Sequence, residues 1–165
     1  MTPEYRFTAK KKFKWWGEGE WVTEPDFYSF THEGLECTIM RMGVLDGPGH
    51  IFGGNLNGYV CIPPNHPDFG MDYMVKDHGY EVHGGLTFAE YNDDKSVFSI
   101  GFDTAHSYDL VPSMISIRKQ IKEEMGEKYP RLFANRTIFS GTYRNFEYVV
   151  NETKKLAEQV KARMP

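Results

Sequence analysis

The sequence has little cysteine and no long apolar run, and both shortages exclude classes of protein. Cys37 and Cys61 are the only cysteines, and they do not form the CxxC pairs of zinc fingers or thioredoxin-like proteins. Two isolated thiols within apolar runs are typical of buried side chains in a reducing cytoplasm. No segment reaches the roughly 18 apolar residues that a membrane span needs, and the first residues lack the apolar core of a signal peptide. We therefore expect a cytoplasmic protein without a membrane segment.

An excess of basic charge is also missing, because 19 Lys and Arg residues are outweighed by 23 Asp and Glu residues. The net charge of −4 argues against a general nucleic-acid binder, which is usually basic. The stretch 10–16 interleaves lysines with aromatic residues, a pattern compatible with contacts to single-stranded nucleic acid. Such a short patch in an acidic chain is more typical of the start of a strand whose Trp15 and Trp16 join the core. Nucleic acid is therefore not an expected partner.

What the chain does have is enough aromatic material for one packed core. It carries 12 Phe, 10 Tyr and 3 Trp in 165 residues, which is more than a disordered chain contains. Runs with strand character come first and two helical patterns follow, an order that is typical of α+β proteins. We therefore predict a single α+β domain over residues 1–165 with a mainly antiparallel sheet.

Individual elements follow from the spacing of the apolar residues. Residues 21–42 alternate apolar and polar side chains around a polar turn, which predicts an antiparallel pair of strands. The glycine-rich stretch 43–57 predicts a loop, and residues 58–62 predict a central strand that ends at a Pro-Pro pair. Apolar residues recur every three or four positions over about 112–125 and about 143–163, which predicts two C-terminal helices.

The most informative stretch, 82–103, predicts a hairpin at the centre of the sheet. Two runs rich in Phe, Ile, Val and Thr flank a polar segment whose Asn and Asp residues favour tight turns. A loop of odd length would pair the apolar faces and place His83 opposite Asp103. A loop of even length would instead place His83 beside Thr104 and His106. In both registers His83 lies near the segment that follows the second strand.

Three side chains at the open end of this hairpin form the predicted reaction centre. His83, Asp103 and His106 are the candidate catalytic residues and also the candidate ligands of a divalent metal such as zinc. A carboxylate beside an imidazole fixes the tautomer and raises the basicity of the ring, which serves both metal binding and proton transfer. The alternative is a strand end whose His and Asp side chains only bond the backbone of neighbouring loops.

Residues beside this centre are candidates for binding a ligand. Gly84 and Gly85 let a ligand approach the backbone closely. Thr87 lies on the polar face of the first strand. Asp109 follows the second histidine by three residues, a spacing that would put both on one side of a helical turn. Together these positions predict a small polar ligand near the reaction centre.

His66 is a further candidate for ligand binding, in the turn that follows the strand 58–62. Pro67 restricts the residue before it to an extended backbone, so His66 is exposed at the turn. If that strand lies next to the hairpin, His66 reaches His83 and adds a nitrogen ligand. If it does not, His66 is a surface residue of a rigid loop.

Four stretches resemble an uncharacterised family of small phage and bacterial proteins. They are NGYVCIPPNHPDFG, the paired motifs VHGGLTF and GFDTAHSYD, and the helix from Tyr148 to Val160, and together they cover about two thirds of the chain. Thr104 stands where the family usually has Cys, and Tyr108 where it usually has Gly. A thiol at position 104 is therefore not an essential nucleophile or ligand. The resemblance implies a phage-type protein, located in the host cytoplasm if phage-encoded, and it implies no particular reaction.

The sequence leaves three functions open. The first is a small hydrolase for a small polar or nucleotide-like substrate, in which a metal activates water or a histidine acts as general base beside a carboxylate. The second is a non-catalytic module that sequesters a small ligand or binds a host protein. The third is an interaction protein whose histidines are structural. The sequence does not define the oligomeric state.

Overall fold

The fold is a five-stranded antiparallel sheet whose one face is covered by the C-terminal helix. The computed structural model describes residues 7–45, 51–74, 78–130 and 141–165. The strands are β1 Phe27–His32, β2 Leu35–Leu45, β3 Ile51–Ile62, β4 Phe88–Tyr91 and β5 Phe98–Phe102. Their spatial order in the sheet is β1-β2-β3-β5-β4. The helices are α1 Ala9–Trp16, α2 Pro112–Gly126 and α3 Phe146–Ala162. The α+β class and both C-terminal helices are confirmed. Of the helices described, none combines the length and the apolarity that crossing a membrane requires.

Helix α3 covers the core because one of its faces is apolar along its whole length. Val149, Leu156 and Val160 lie on this face and are fully buried against the sheet. Each contributes roughly 1.5–3 kcal/mol relative to an exposed side chain. Asn145 caps the helix, because its side chain accepts a hydrogen bond from the Tyr148 N–H at 3.0 Å. The helix is thereby fixed on the sheet, and side chains along its flank have defined positions.

Strand β3 is the central strand, and it begins earlier than the sequence predicts. The predicted strand at 58–62 is confirmed as its second half. The predicted glycine loop is wrong at 43–45, which belong to β2, and again from Ile51 onward, while residues 46–50 lie outside the described residues. Gly53 and Gly54 have φ angles of 114° and 99°, and they lie where the pairing with β2 shifts register. Glycines that permit a bulge cannot be told by composition from glycines that form a loop.

The hairpin of β4 and β5 lies at one edge of the sheet, although the sequence pattern predicts a central position. Phe88 pairs with Gly101 and Tyr91 pairs with Phe98, which is the even-length register. Phe88 consequently packs against Tyr59, with ring centroids 5.1 Å apart, and does not share the core face with Phe98. The odd-length register is therefore wrong.

The residues before Phe88 form a turn and not the first half of a strand. Gly84 and Gly85 have φ angles of 66° and 87°, which an extended strand does not allow. The Gly85 N–H donates to the Val82 carbonyl at 2.9 Å and closes this turn. Leu86 still reaches the core, where it is buried. The turn carries His83 out of the sheet and towards the flank of α3.

The lysine-rich stretch 10–16 forms α1 and not the start of a strand. Trp16 is buried, and its indole N–H donates to the Ile51 carbonyl at 2.8 Å. Lys12 is also buried, and its Nζ donates to Oδ1 of Asp26 at 2.9 Å. The expected burial of a tryptophan is confirmed. One of the lysines, however, forms an ion pair inside the fold instead of lying in solvent.

Candidate functional site

Two histidines and one aspartate meet at the open end of the hairpin. His83, His106 and Asp109 each offer a ligand atom, and the three atoms lie within 4.8 Å of one another. Nε2 of His83 is 2.8 Å from Oδ2 of Asp109, and Nδ1 of His106 is 3.2 Å from the same oxygen. The rings of the two histidines are 5.3 Å apart. We call these three residues the histidine–aspartate cluster.

His83 is held by contacts from both its backbone and its ring. Its N–H donates to Oε2 of Glu152 at 3.1 Å, and its Nδ1 lies 2.9 Å from Oη of Tyr148. Tyr148 and Glu152 are four residues apart on α3, so both point from the same flank of the helix. With Nε2 against Asp109, both ring nitrogens of His83 are engaged. The buried ring therefore has one defined orientation.

His106 and Asp109 are positioned by a tight turn that follows β5. The Asp109 N–H donates to the His106 carbonyl at 2.9 Å, and the His106 N–H donates back to Oδ2 of Asp109 at 3.1 Å. Thr104 anchors this segment to the central strand, because its buried hydroxyl donates to the Leu56 carbonyl at 2.8 Å. A Cβ at Gly84 would lie only 2.0 Å from the His106 ring. The absence of a side chain at Gly84 thus makes room for the second histidine.

Asp109 is buried and ionised within this arrangement. Burial by itself would raise the pKa of Asp109, but hydrogen bonds from His83, from Arg144 and from the His106 N–H outweigh it, and the pKa is lowered. The Arg144 contact is from Nε to Oδ1 at 3.0 Å, so each carboxylate oxygen has its own partners. Burial and the nearby Glu152 carboxylate raise the pKa of Tyr148, which stays a neutral hydroxyl beside His83.

Of the predicted site residues, Asp103 lies beside the cluster without joining it, and Thr87 belongs to the hairpin. Oδ1 of Asp103 is 3.6 Å from Nδ1 of His106 and accepts a hydrogen bond from the Ala105 N–H at 2.9 Å. The carboxylate between the two histidines is therefore that of Asp109, which the sequence suggested only as a ligand-binding residue. The Thr87 N–H donates to the Gly101 carbonyl at 3.0 Å and extends the β4–β5 pairing.

His66 does not reach the cluster. It is buried, its Nδ1 accepts a hydrogen bond from the Asp68 N–H at 3.0 Å, and its Nε2 lies 2.9 Å from the Val160 carbonyl. Since Nδ1 accepts, Nε2 carries the proton and donates to this carbonyl. His66 ties its turn to the end of α3, and neither the predicted contact with His83 nor the predicted surface position is observed.

Three residues of the site were not found from the sequence. Arg144, Tyr148 and Glu152 all come from the start of α3 or the residues just before it. Tyr148 and Glu152 interrupt the helical pattern as polar residues four positions apart beside the apolar face, which is a detectable but common pattern. Arg144 carries no signal, because an arginine before a helix is usually exposed.

No family model matches the chain, and comparisons with curated proteins and with solved structures find no match either. The resemblance to small phage and bacterial proteins therefore stays a prediction. Function has to be argued from the site itself, since even a known fold would not define it.

Proposed function

We propose that the protein is a metal-dependent hydrolase whose reaction centre is the histidine–aspartate cluster. The observation that carries the proposal is the convergence of two imidazole nitrogens and one carboxylate oxygen within 4.8 Å. Two nitrogens and one oxygen form a donor set of the kind found in catalytic zinc sites, which use three protein ligands and leave a position for water. The proposed substrate is small and polar or nucleotide-like.

The distances within the cluster support a metal site. Ligand atoms about 2.1 Å from a tetrahedral zinc ion are about 3.4 Å from one another. The observed separations from Oδ2 of Asp109 are 2.8 Å to His83 and 3.2 Å to His106. Both separations are within an ångström of this value, and all three ligand atoms lie within 4.8 Å of one another, so side-chain movements could bring them to coordination distances.

The groups behind the ligands also support the proposal. Metal-binding histidines usually donate their second ring N–H to an acceptor, which fixes the tautomer. For His83 this acceptor is the Tyr148 hydroxyl, 2.9 Å from Nδ1. The second oxygen of Asp109 is held by Arg144 in the same way. Such partners keep the ligand atoms directed at one point.

The chemistry of such a site is hydrolysis by an activated water. A divalent ion bound there would lower the pKa of a coordinated water to about 7, so that hydroxide would be available at neutral pH. His106 would serve as a ligand through Nδ1. With Nδ1 as the ligand atom, Nε2 would carry the ring proton; this N–H has no hydrogen-bond partner within the described parts of the chain, so it could donate a hydrogen bond to a substrate.

Metal content tests this proposal directly. The protein is purified without a histidine tag, incubated with zinc, manganese or ferrous iron, passed through a desalting column and analysed for bound metal. We expect one equivalent in the wild type and a loss of at least tenfold in affinity in His83→Ala and Asp109→Asn. His32→Ala is the matched control, since His32 pairs with Glu158 and lies outside the cluster. A wild-type protein that retains none of these metals would refute the metal-dependent reaction.

A second candidate function is the binding of a small ligand without catalysis. It rests on a cavity of about 350 Å³ that lies on the sheet beside the edge hairpin. Apolar and aromatic side chains line much of it, including Met40, Tyr59, Phe88 and Tyr91. This volume lies at the lower end of the range of small-molecule pockets. Mass spectrometry of the native protein, and again after denaturation, would detect a ligand that co-purifies; a mass equal to that of the chain alone would argue against this candidate.

The remaining expectations are proposals without a test in the structure. The phage-type relationship, the cytoplasmic location and the absence of nucleic acid among the partners rest on sequence features alone. The proposed reaction does not depend on any of them.

A further inference from the structure

Arg144 is held in place by a single hydrogen bond and one aromatic contact. Its Nε donates to Oδ1 of Asp109 at 3.0 Å, and its guanidinium carbon lies 4.9 Å from the centre of the Tyr148 ring. Among the residues that the structure describes, no acceptor is bonded to either Nη atom. The side chain retains 23% exposure. The Nε edge of the guanidinium is therefore fixed by Asp109, and its outer edge, which carries the two Nη atoms, can bind an anion.

His106 is in a similar state on the other side of the same carboxylate. Its N–H and Nδ1 both contact Oδ2 of Asp109, while Nε2 lacks a partner in the described ranges. Its side chain is 22% exposed. Tyr108 stacks on the ring at 5.4 Å with an interplanar angle of 6°, which holds the ring without using its nitrogens. The unbonded edge of Arg144 and the partly exposed ring of His106 thus flank one buried aspartate.

The charges of the site favour an anion between these groups. Asp109 and the neighbouring Asp103 each carry one negative charge and Arg144 one positive charge, so a divalent metal would leave the site with an excess of one positive charge. Glu152 does not remove this excess, because Lys155 pairs with it at 2.6 Å. The start of α3 does not supply the anion site either, since the Phe146 N–H donates to Glu24 and the Tyr148 N–H to Asn145. An anion would therefore be bound by the side chains of Arg144 and His106 and not by the N-terminus of α3.

From these observations we propose that the substrate carries an oxyanion, a phosphate or a carboxylate, which is bound by the outer edge of Arg144 beside His106. Arginine is suited to this role because its planar fork donates two parallel hydrogen bonds to phosphate or carboxylate oxygens. The inference rests on the proposed function and names the substrate class of the same site. Arg144 is a binding residue in this scheme, in addition to its contact with Asp109.

Calorimetric titration with two small probes tests this inference. Methyl phosphate and acetate are titrated at constant ionic strength into the metal-loaded wild type, Arg144→Gln, Arg144→Lys and Lys161→Gln, with bound metal measured in each sample. Lys161→Gln is the matched control, because it removes one positive charge from the exposed far end of α3. We expect at least one probe to bind the wild type and the control equally. Its affinity should fall at least tenfold in Arg144→Gln and by a smaller factor in Arg144→Lys, which keeps the charge but loses the fork.

The two probes distinguish the two sources of the oxyanion. Tighter binding of methyl phosphate assigns a phosphate, and tighter binding of acetate assigns a carboxylate. Failure of both probes to bind metal-loaded wild type, or equal binding by wild type and Arg144→Gln, would overturn the inference while the metal site stands. If the wild type retains no metal, the same titrations on the metal-free protein decide the inference separately. If Arg144→Gln does not fold or loses its metal, the Arg144→Lys variant carries the test.

Discussion

Two of the arginine–carboxylate clusters among the described residues differ in how completely their polar atoms are used. In the first, Arg41 is 1% exposed, and its three nitrogens donate to Asp26, Glu24, Tyr143 and two backbone carbonyls. In the second, the Arg144 side chain makes one hydrogen bond to a described residue, Asp109. We call the first the Arg41 network.

The partners of Arg41 also bond to one another and to neighbouring groups. Tyr143 donates to Glu24 at 2.6 Å, and the other oxygen of Glu24 accepts from the Phe146 N–H. Lys12 donates to the Glu24 carbonyl and to Asp26. A buried polar group with all its partners joins elements of the fold, here α1, β2, β3 and the start of α3. By contrast, the cluster at Asp109 has donor atoms that no described residue uses, and this difference separates a structural set of charges from a candidate site.

The largest expected effect is on stability, from removal of the two arginines. Arg41→Met removes the guanidinium partner of Glu24 and leaves Asp26 with Lys12 as its described counter-charge, and we expect a loss of about 3–5 kcal/mol in the free energy of unfolding. Arg144→Met removes one hydrogen bond to a charged group at a partly exposed position, and we expect about 1.5–3 kcal/mol. Urea denaturation of both variants measures the difference. Equal losses of unfolding free energy in the two variants would show that both clusters contribute equally to stability.

The next effect concerns the two neighbouring glycines of the His83 turn. Alanine at either position meets positive φ, which costs about 1–2 kcal/mol. Only at Gly84 would the new Cβ also collide with the His106 ring, because nothing lies within 4 Å of the corresponding position at Gly85. We therefore expect Gly84→Ala to lose metal binding and Gly85→Ala to keep it.

Gly85→Ala is the matched control for backbone strain, and thermal unfolding reports whether both variants fold. Metal binding that is retained in Gly84→Ala, or lost equally in both variants, would contradict the contact between this turn and His106.

Two tyrosines provide a smaller and more selective comparison. Tyr148→Phe removes the hydroxyl beside Nδ1 of His83, and the loss of such a partner reduces metal affinity about 10–100-fold. Tyr143→Phe removes a hydroxyl from the Arg41 network and should lower stability by about 1–3 kcal/mol without changing metal affinity. Competition with a chromophoric chelator measures the affinities, and denaturation measures the stabilities. A loss of metal affinity in Tyr143→Phe but not in Tyr148→Phe would contradict the assignment of the metal site to the histidine–aspartate cluster.

The smallest expected effect is a change in acid stability. Asp109 has a lowered pKa in the fold, so its contribution to stability is complete above the ordinary aspartate value of 3.8 and is lost as pH falls below it. In the metal-free protein, Asp109→Asn should therefore show a weaker decline of stability from pH 5 to pH 3 than the wild type. Parallel curves for the two proteins would show that Asp109 is not specifically stabilised as the anion.

Much of the fold was predictable from the sequence because periodicity reports burial. The stripe that contains Val149, Leu156 and Val160 defined α3, and alternation within 21–42 defined the first two strands. The hairpin register failed because Phe88 is apolar and yet lies on the outer face, against Tyr59. An aromatic residue that packs on the exposed side of a sheet misleads any argument from hydrophobic faces.

The candidate site was predictable in part for a similar reason. His83, His106 and Asp109 were all named as site residues, because two histidines and several aspartates close in sequence near a turn are rare. The sequence left open which carboxylate lies between the two histidine rings, that of Asp103 or that of Asp109, because this depends on the geometry of the folded chain. The contribution of α3 depended on long-range packing, since Tyr148 is 65 residues from His83 and meets it only once the helix lies on the sheet.

The order of the site along the chain has a consequence for biosynthesis. All five strands are synthesised before Arg144, yet their apolar face and the buried Asp109 both depend on α3 for cover and counter-charge. A nascent chain that has reached only Phe102 therefore exposes unprotected sheet surface to other chains and to chaperones. Completion of α3 buries that surface and brings Tyr148 to His83 in the same step. Protection from aggregation and readiness to bind a ligand are thus acquired together, once α3 has been synthesised.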